Sequence, residues 1–423
     1  MNSKKIWLVI TGFAIGIAIL VKPVSSIAQD ILPKEIVIGG PISFSGQYAK
    51  EGQQGFWGFQ LAEKWTNEVY GGVKIGGKQI LIRYKHYDDE SKKENVTSLL
   101  ERLITVDGVR FLLAPYSSGL TIAGASVAEK YKSIYMSHGG AGDRIFEQGY
   151  RYAVQTIGLG SRYQISAIDM VKSIDPNAKR VALFFKDDEF SRTVMKGTRE
   201  YAEKNGLEIV FERTYPAEAK DLTPALTEMK AKSPDILLGG GHFADGQLLA
   251  KQMGDLGIEV KAASILVAPA LPAFVQALGK QANGFISPAH WEIGARFSPE
   301  TTKAIGSGYF GPTQEWFVNE FRKISKGIDP EYHAADAIAS MLVYVKAIEM
   351  AQNLDVDKVR GTLNKLWFVP FYGEWGIDPE TGKQVRHSMV LIQWQNGKKE
   401  IVWPIEAQTA KPCYPISNCS GRK

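Results

Sequence analysis

Short apolar runs alternate with amphipathic runs along most of this chain. Residues 36–38 and 134–137 have the apolar character of buried strands, and residues 120–131 carry apolar positions at helical spacing. The alternation starts again with a helical pattern at 165–174 and ends near 284–287. Because successive βα units form parallel sheets with right-handed crossovers, the pattern predicts an α/β protein with two doubly wound lobes.

The pattern changes in the last third of the chain. Residues 313–328 and 332–351 have the periodicity of longer helices, and Asp355 can cap a third helix. This segment is too short for an independent domain, so we expect it to return to the two lobes. Three strands are predicted near its end, at 372–377, 389–395 and 401–403.

These patterns divide the chain into six predicted segments. A signal peptide at the N-terminus precedes the first lobe, each lobe is built from two separate segments, and a tail follows. The predicted boundaries are 1–28 for the signal peptide, 34–156 and 288–371 for lobe 1, 157–287 and 372–405 for lobe 2, and 406–423 for the tail.

The N-terminus has the pattern of a secretory signal peptide. Lys4 and Lys5 precede an apolar run over residues 6–21, and small residues at Ser26 and Ala28 suit cleavage before residue 29. We therefore expect a periplasmic protein. An uncleaved membrane anchor remains the alternative, because the run has about the minimum length for a membrane span.

Composition and charge exclude several classes of protein. The chain is 44% hydrophobic and 22% charged, as in ordinary globular proteins. Of the 50 Lys and Arg residues, Lys4, Lys5 and Lys22 lie in the predicted signal peptide, so the mature chain is close to neutral. A near-neutral chain lacks the basic surface that nucleic-acid binding requires.

No motif for catalysis or for metal or cofactor binding is found. The six histidines are all more than five residues apart, so no local zinc pair exists. Neither a GxxxxGK[ST] phosphate-binding loop nor a GxSxG nucleophile motif occurs, although Ser137–Gly142 resembles the oxyanion loop of lipases. The sequence therefore predicts a protein that is not an enzyme and needs no cofactor.

The only two cysteines, Cys413 and Cys419, lie in the predicted tail. An oxidising compartment outside the cytoplasm would pair them. We predict a disulfide that closes a small ring in the tail.

Loops that suit an anionic ligand follow the strands of the first lobe. In doubly wound sheets, ligands bind beyond the carboxyl ends of the strands, and helix N-termini suit carboxylates. Simple helix capping is the alternative for the serines, and core packing or surface exposure is the alternative for the second-lobe residues. The candidates are Tyr116, Ser117, Ser118, Gly139, Gly140 and Ala141 in the first lobe, and Phe190 and His242 in the second.

Several segments together resemble one family. Among them are LLAPYSSGLTIAGASVAEKYKSIYMSHGGAG, VALFFKDDEFSRTVMKG, ILLGGGHFADGQLLAKQMGDLG and PEYHAADAIASMLVYVKAIEMA. Their order and spacing resemble the leucine/isoleucine/valine-binding protein family, the type I periplasmic solute-binding proteins of ABC importers. The resemblance spans roughly residues 35–404.

The resemblance implies two lobes joined by crossover strands that close on a small solute and deliver it to an inner-membrane permease. It places the solute carboxylate at Ser118, with Ser117 beside it, and at the loop from Gly139 to Ala141. Glu51 takes the position of an aromatic residue that covers the ligand, and Phe190 and His242 lie near the aromatic positions of the second lobe. We expect a monomer.

Two departures from the family pattern leave the ligand open. Ala141 replaces a threonine, and the apolar run Val267–Ala270 replaces the acidic residue that pairs with a ligand ammonium. Either another carboxylate takes that role, with Glu51, Asp188 and Asp245 as candidates, or the ligand has no ammonium and packs as an aromatic acid on His242 and Trp291. We expect an amino acid or similar carboxylate. Aromatic acids, amides or urea, and a sensing receptor are alternatives, and a hydrolase is disfavoured.

Overall fold

Two β-sheets organise residues 32–419, the part of the chain that the computed structural model describes. The predicted signal peptide, residues 1–28, lies outside the described residues. Within the described range, no helix combines the length and apolar character that a membrane span requires.

The first sheet has six strands in the order β2-β3-β1-β4-β5-β6. All neighbouring strands are parallel except β2 and β3. Strands β4 to β6 are buried along their whole length, as parallel strands covered by helices are. The strands are β1 (Glu35–Ile42), β2 (Val73–Ile75), β3 (Lys78–Asp88), β4 (Phe111–Leu113), β5 (Ile134–Ser137) and β6 (Ala153–Gln155); the helices are α1 (Ala49–Lys64), α2 (Lys93–Thr105) and α3 (Ser118–Lys130).

The second sheet has seven strands in the order β13-β12-β11-β10-β9-β7-β8. Strands β7 to β11 are parallel, and the late strands β12 and β13 add antiparallel to its edge. The strands are β7 (Arg180–Lys186), β8 (Glu208–Tyr215), β9 (Ile236–Gly240), β10 (Ala262–Ile265), β11 (Ile286–Ala289), β12 (Val390–Gln395) and β13 (Lys398–Trp403); the helices are α4 (Ile165–Ile174), α5 (Glu189–Lys204), α6 (Thr223–Ala231), α7 (Phe243–Asp255) and α8 (Pro272–Leu278).

Four helices follow the second sheet before the chain returns to it. Helix α11 packs along α1, and Gly58 of α1 allows the close approach: a Cβ atom there would lie 2.3 Å from the Ala334 carbonyl oxygen. Asp355 caps α12 as predicted, accepting a hydrogen bond from the Lys358 N–H at 3.0 Å. The helices are α9 (Pro299–Ile305), α10 (Gln314–Ile324), α11 (Tyr332–Ala351) and α12 (Val356–Leu363).

The chain passes between the two sheets three times, and the three crossings are bonded to one another. The Gln384 N–H donates to Gln155 Oε1 at 3.0 Å, and the Gly158 N–H donates to His290 Nδ1 at 3.4 Å. His387 Nε2 lies 3.0 Å from the His290 carbonyl oxygen. These bonds tie the crossings into one unit between the sheets.

The predicted strand at 372–377 is wrong. Only isolated bridges occur in this segment, between Phe368 and Trp375 and between Ile377 and Gln384. Gly373 has a φ of 131°, which strands do not adopt, and it interrupts the alternation that predicted one. The segment instead follows the edge of the first sheet, where the Trp375 indole N–H donates to the Gln155 carbonyl at 3.2 Å.

The predicted disulfide between Cys413 and Cys419 is present, with the Cα atoms 5.5 Å apart. Ile416, inside the ring, is buried in the core of the second sheet. The Gln393 side chain accepts from the Cys413 N–H at 2.8 Å and donates to its carbonyl at 3.0 Å. The disulfide closes a ring within the tail, and the Gln393 hydrogen bonds fasten that ring onto strand β12.

Candidate ligand-binding site

A narrow cavity lies where the two sheets face each other. Loops that follow β4 and β5 form one side, and the N-terminal ends of α5 and α7 form the other. The start of α11 closes a third side. The lining residues are Tyr116, Gly139, Ile157, Tyr163, Phe190, His242, Val267, Tyr332, His333 and Asp336.

Seven aromatic and imidazole rings form a closed circuit around this cavity, which we call the aromatic girdle. Neighbouring rings in the circuit have centroids 4.0–5.6 Å apart, mostly in edge-to-face or tilted arrangements. Such contacts hold each ring in place through its neighbours. In order, the girdle consists of Tyr163, Phe190, His242, Tyr116, His333, Tyr332 and His290, which returns to Tyr163.

His242 links the two sides of the cavity. Its Nδ1 lies 2.9 Å from the Tyr116 hydroxyl of the first side, and its Nε2 lies 2.9 Å from Asp188 Oδ2 of the second. Asp188 also caps α5 through the Ser191 N–H at 2.8 Å. Burial acts to raise the pKa of Asp188, but the charge of His242 and these hydrogen bonds hold the pKa below its usual range.

Asp188 and Asp245 both have protein partners already. Lys186 Nζ lies 3.8 Å from Asp188 and 3.7 Å from Asp245. Asp245 also accepts hydrogen bonds from the Tyr215 hydroxyl at 2.6 Å and from the His242 N–H at 3.0 Å. Two of the three carboxylates that the sequence offers for a ligand ammonium are therefore engaged within the second side.

Glu51, the third of these carboxylates, is 1% exposed in helix α1. Its Oε1 accepts a hydrogen bond from the Phe243 N–H at 3.1 Å, at the start of α7. Burial raises the pKa of Glu51. This contact is a second link between the two sides of the cavity.

The hydroxyls of Ser117 and Ser118 hold the loops in place. Ser117 caps α3, accepting from the Leu120 N–H at 3.3 Å, and Ser118 Oγ accepts from the Gly142 N–H at 2.8 Å. Helix α3 begins at Ser118, so the N–H groups of its first residues have no carbonyl partner within the helix. Backbone N–H groups are thus the donors that this loop can offer to an anion.

The loop from Gly139 to Ala141 fits closely against its surroundings. A Cβ atom on Gly139 would lie 2.9 Å from Tyr116 Cα, and one on Gly140 would lie 2.4 Å from Thr121 Oγ1. Ala141 is buried, and its carbonyl accepts from the Gly160 N–H at 2.7 Å. Gly139 lines the cavity, whereas Gly140 and Ala141 support the loop from behind.

His387, buried at the third crossing, makes the stability of the fold depend on pH. Burial lowers the pKa of His387 to about 4, whereas an unfolded chain keeps the usual value of about 6.5. Below pH 6.5 the unfolded chain gains a proton at His387 that the folded protein does not take up until about pH 4. Its contribution to stability is therefore complete above pH 6.5 and is lost as the pH falls towards 4, by up to about 3 kcal/mol.

The His387→Gln variant tests this. Urea unfolding of both proteins at pH 7.5 and 4.5 should give a smaller acid-induced loss of unfolding free energy in the variant. Titrating groups that do not contact His387 are common to both proteins and cancel in the comparison. An equal loss in the two proteins would contradict the assignment.

Comparison with known proteins decides the family. The family model for periplasmic binding proteins matches residues 35–399. The chain belongs to this periplasmic binding protein family. The resemblance noted from the sequence is thereby confirmed, and the family implies an extracytoplasmic location and solute binding.

Individual relatives of this periplasmic binding protein agree with the family assignment. The Leu/Ile/Val-binding protein homolog 7 of Brucella melitensis is 23% identical over 394 residues, covering 90% of this chain and 94% of the relative. The substrate binding protein LivJ of Streptococcus pneumoniae, solved with isoleucine, has a TM-score of 0.74 and 24% identity, covering 88% of this chain and 100% of LivJ. A solute binding protein of R. palustris, solved with 4-hydroxybenzoate, has a TM-score of 0.72 and 21% identity, covering 89% and 97%. The predicted two-lobed α/β fold is confirmed.

Trp291 lies apart from the other candidate residues of this binding protein. Its ring packs edge-on against Phe317 and Phe371, each at 5.5 Å between centroids. It is 1% exposed and is not among the residues that line the cavity. Trp291 is therefore part of the core around Phe317 and Phe371.

The sequence interpretation missed the part of the site on α11. Tyr332, His333 and Asp336 line the cavity, and Tyr163 completes the girdle from the second side. A signal was present: Tyr332, Asp336 and Ser340 are four residues apart in a largely apolar helix, so they share one face. A polar stripe on a buried helix indicates a polar site beside it.

Proposed function

We propose that this periplasmic binding protein is the solute-binding component of an ABC importer, and that the cavity inside the girdle binds one small carboxylate-bearing solute. The observation that carries the proposal is that contacts from both sides close the cavity. They are the Tyr116–His242 hydrogen bond at 2.9 Å, the Glu51–Phe243 hydrogen bond at 3.1 Å and the Arg144–Glu189 ion pair at 3.3 Å. A solute held by both sides stabilises this closed arrangement.

The carboxylate of the solute is proposed to lie against the start of α3 and Gly139. Backbone N–H groups and the positive end of a helix favour an anion there. Ser118 acts through the loop that its hydroxyl holds, and Phe190 and His242 form the opposite wall. Glu51 acts as a closing contact, in place of an aromatic cover.

The residues that line the cavity and the ligands of similar proteins narrow the class of solute. An amino acid is the first candidate, and the isoleucine-bound LivJ agrees with it. An aromatic acid is the second, because rings line the cavity and a similar protein was solved with 4-hydroxybenzoate.

Location and partners follow from the same proposal. We propose cleavage of residues 1–28, release into the periplasm as a monomer and delivery of the solute to an inner-membrane ABC permease. Cellular uptake of the solute is measured with and without the gene. Loss of uptake on deletion indicates an importer, and unchanged uptake indicates a sensing receptor.

Thermal unfolding of the purified protein with a panel of solutes tests the proposal. The panel contains aliphatic, polar and acidic amino acids, aromatic acids and short amides. A solute at about 1,000 times its Kd adds about 4 kcal/mol of stability, enough to raise the Tm measurably. A higher Tm with a carboxylate-bearing solute supports the proposal. A higher Tm with amides alone would show that the ligand is an amide and not a carboxylate, and an unchanged Tm with every solute would contradict the proposal.

A further inference from the structure

His333 is a buried imidazole in the lining of the cavity, with 2% of its surface exposed. Its Nδ1 lies 2.6 Å from Glu331 Oε2, and Glu331 lies outside the described lining of the cavity. Within residues 32–419, Nε2 of His333 has no hydrogen-bond partner. Because buried polar atoms normally have partners, Nε2 is the atom that His333 can offer to a bound solute.

Glu331 holds the ring of His333 in one orientation. It is fully buried, and its Oε2 also accepts a hydrogen bond from the backbone N–H of His333 at 3.0 Å, at the start of α11. A carboxylate beside Nδ1 keeps a proton on that nitrogen and favours the charged form of the ring. Nε2 therefore accepts a hydrogen bond when the ring is neutral and donates one when the ring is charged.

The other polar groups in the described lining leave a positive charge to His333. The lining contains no lysine or arginine. His242 already has a partner at each ring nitrogen. Asp336 has the Tyr372 hydroxyl as its side-chain partner. A cationic donor that faces an anionic solute in this cavity is thus supplied by Nε2 of His333.

His333 also lies close to the place proposed for the solute carboxylate. The centroid of its ring is 4.8 Å from that of Tyr116. Tyr116 packs in turn against Gly139, where an added Cβ atom would lie 2.9 Å from Tyr116 Cα. The imidazole and the loop that carries the backbone N–H groups therefore flank the same tyrosine, and both can face one carboxylate.

The groups around His333 leave it free to take up a proton. Burial raises the pKa of Glu51 and of Asp336, which favours their neutral forms and reduces their repulsion of an anionic solute. Burial lowers the pKa of His138 to about 3 and that of His290 well below the usual range, so both rings stay neutral. The titratable groups that face His333 are Glu51 of α1, Tyr116 after β4, His138 after β5, His290 at the second crossing, and Glu331 and Tyr332 on its own segment.

We propose that Nε2–H of His333 binds the carboxylate of the solute, together with the backbone N–H groups at the start of α3, and that Glu331 keeps the ring oriented and charged. The inference rests on the proposed function and specifies how that site holds its anion. The bound carboxylate favours the protonated imidazole, and the proton comes from solvent. The affinity for the solute should therefore fall as the pH rises through the range in which a histidine loses its proton.

Titration calorimetry of the wild-type protein at pH 6 and pH 8 tests the proposal. The probes are isoleucine, phenylalanine, benzoate and 4-hydroxybenzoate, with benzamide as the uncharged counterpart of benzoate. The carboxylates of the four acids are ionised at both pH values, so a change in their affinity comes from the protein. An acid that binds should bind about 10-fold or more weakly at pH 8 than at pH 6.

The His333→Gln variant separates His333 from the other groups that titrate in this range. At pH 6 it should bind the same acid about 10-fold or more weakly than the wild type, because the charged donor is lost. Its affinity should change by less than about threefold between pH 6 and pH 8. His86→Gln is the matched control, since His86 packs on the first sheet away from the cavity and should keep the wild-type affinity at both pH values.

The Glu331→Gln variant tests the role of the carboxylate behind the ring. The amide oxygen can still accept hydrogen bonds from Nδ1–H and from the backbone N–H of His333, but it carries no charge. The charged ring becomes less stable, so the fall in affinity should occur about one pH unit lower than in the wild type. A fall at the same pH as in the wild type would show that Glu331 only caps α11, and would overturn its assigned role.

The outcomes distinguish this inference from the proposed function. Binding of an acid with equal affinity at pH 6 and pH 8, or with the same pH dependence in the wild type and in His333→Gln, would overturn the role of His333 and leave a carboxylate-binding protein. Binding of none of the four acids would contradict both. If His333→Gln fails to fold, calorimetry of the wild type in phosphate and in Tris at pH 7.5 measures the proton directly. Proton uptake on binding of an acid supports the proposal, and no uptake overturns it.

Discussion

The His242→Ala variant is expected to bind its solute about 30 to 150 times more weakly than the wild type, a loss of about 2–3 kcal/mol. The substitution removes the hydrogen bonds to Tyr116 and Asp188 that join the two sides of the cavity. It also opens the girdle between Phe190 and Tyr116. Titration calorimetry with the solute that raises the Tm measures the change.

His86→Ala is the matched control for this variant. His86 packs against Phe44 and Phe56 on the first sheet and does not line the cavity. Its replacement should leave the affinity within about twofold, which is a change below about 0.5 kcal/mol. Equal affinity of His242→Ala and His86→Ala would show that the Tyr116–His242–Asp188 link does not contribute to binding.

The Gly58→Ala variant is expected to lose about 2 kcal/mol of unfolding free energy. The new Cβ atom would lie 2.3 Å from the Ala334 carbonyl oxygen and 2.9 Å from Ala337 Cβ, so α1 and α11 must move apart. Because α11 carries Tyr332, His333 and Asp336 into the cavity, solute binding should weaken as well. Urea unfolding and calorimetry measure the two effects.

Gly361→Ala makes the same substitution where the structure leaves room. No atom outside the local backbone lies within 4 Å of the added Cβ, and Gly361 is within helix α12. The variant should gain up to about 1 kcal/mol, since alanine is the better helix former. If both substitutions lower the unfolding free energy, or if neither does, the result would contradict the close packing of α1 on α11.

The alternation of apolar runs predicted most of the sheets because each strand is buried and each helix is amphipathic. Helix α4 at Ile165–Ile174 and α11 at Tyr332–Ala351 have the predicted bounds. The strand predicted at 372–377 is absent because the apolar residues there are buried in an irregular loop against β6, where the geometry of Gly373 prevents a strand. Burial alone does not distinguish a strand from such a loop.

The candidate site was only partly predictable, for a physical reason. Tyr116, Gly139, Phe190 and His242 follow strands, and the rule that ligands bind beyond strand ends locates such residues from sequence order. Asp336 lies in a helix distant in sequence from those loops, and only the packing of α11 on α1 brings it there. For Trp291 the same reasoning suggested a ligand contact, but this aromatic residue near a crossing packs in the core.

A crystal structure of the protein with the solute found by the thermal-shift panel tests the central claim most directly. The account predicts electron density for one molecule inside the aromatic girdle, with its carboxylate at the start of α3 and Gly139. Density for the solute at any other place, with an empty girdle, would contradict it.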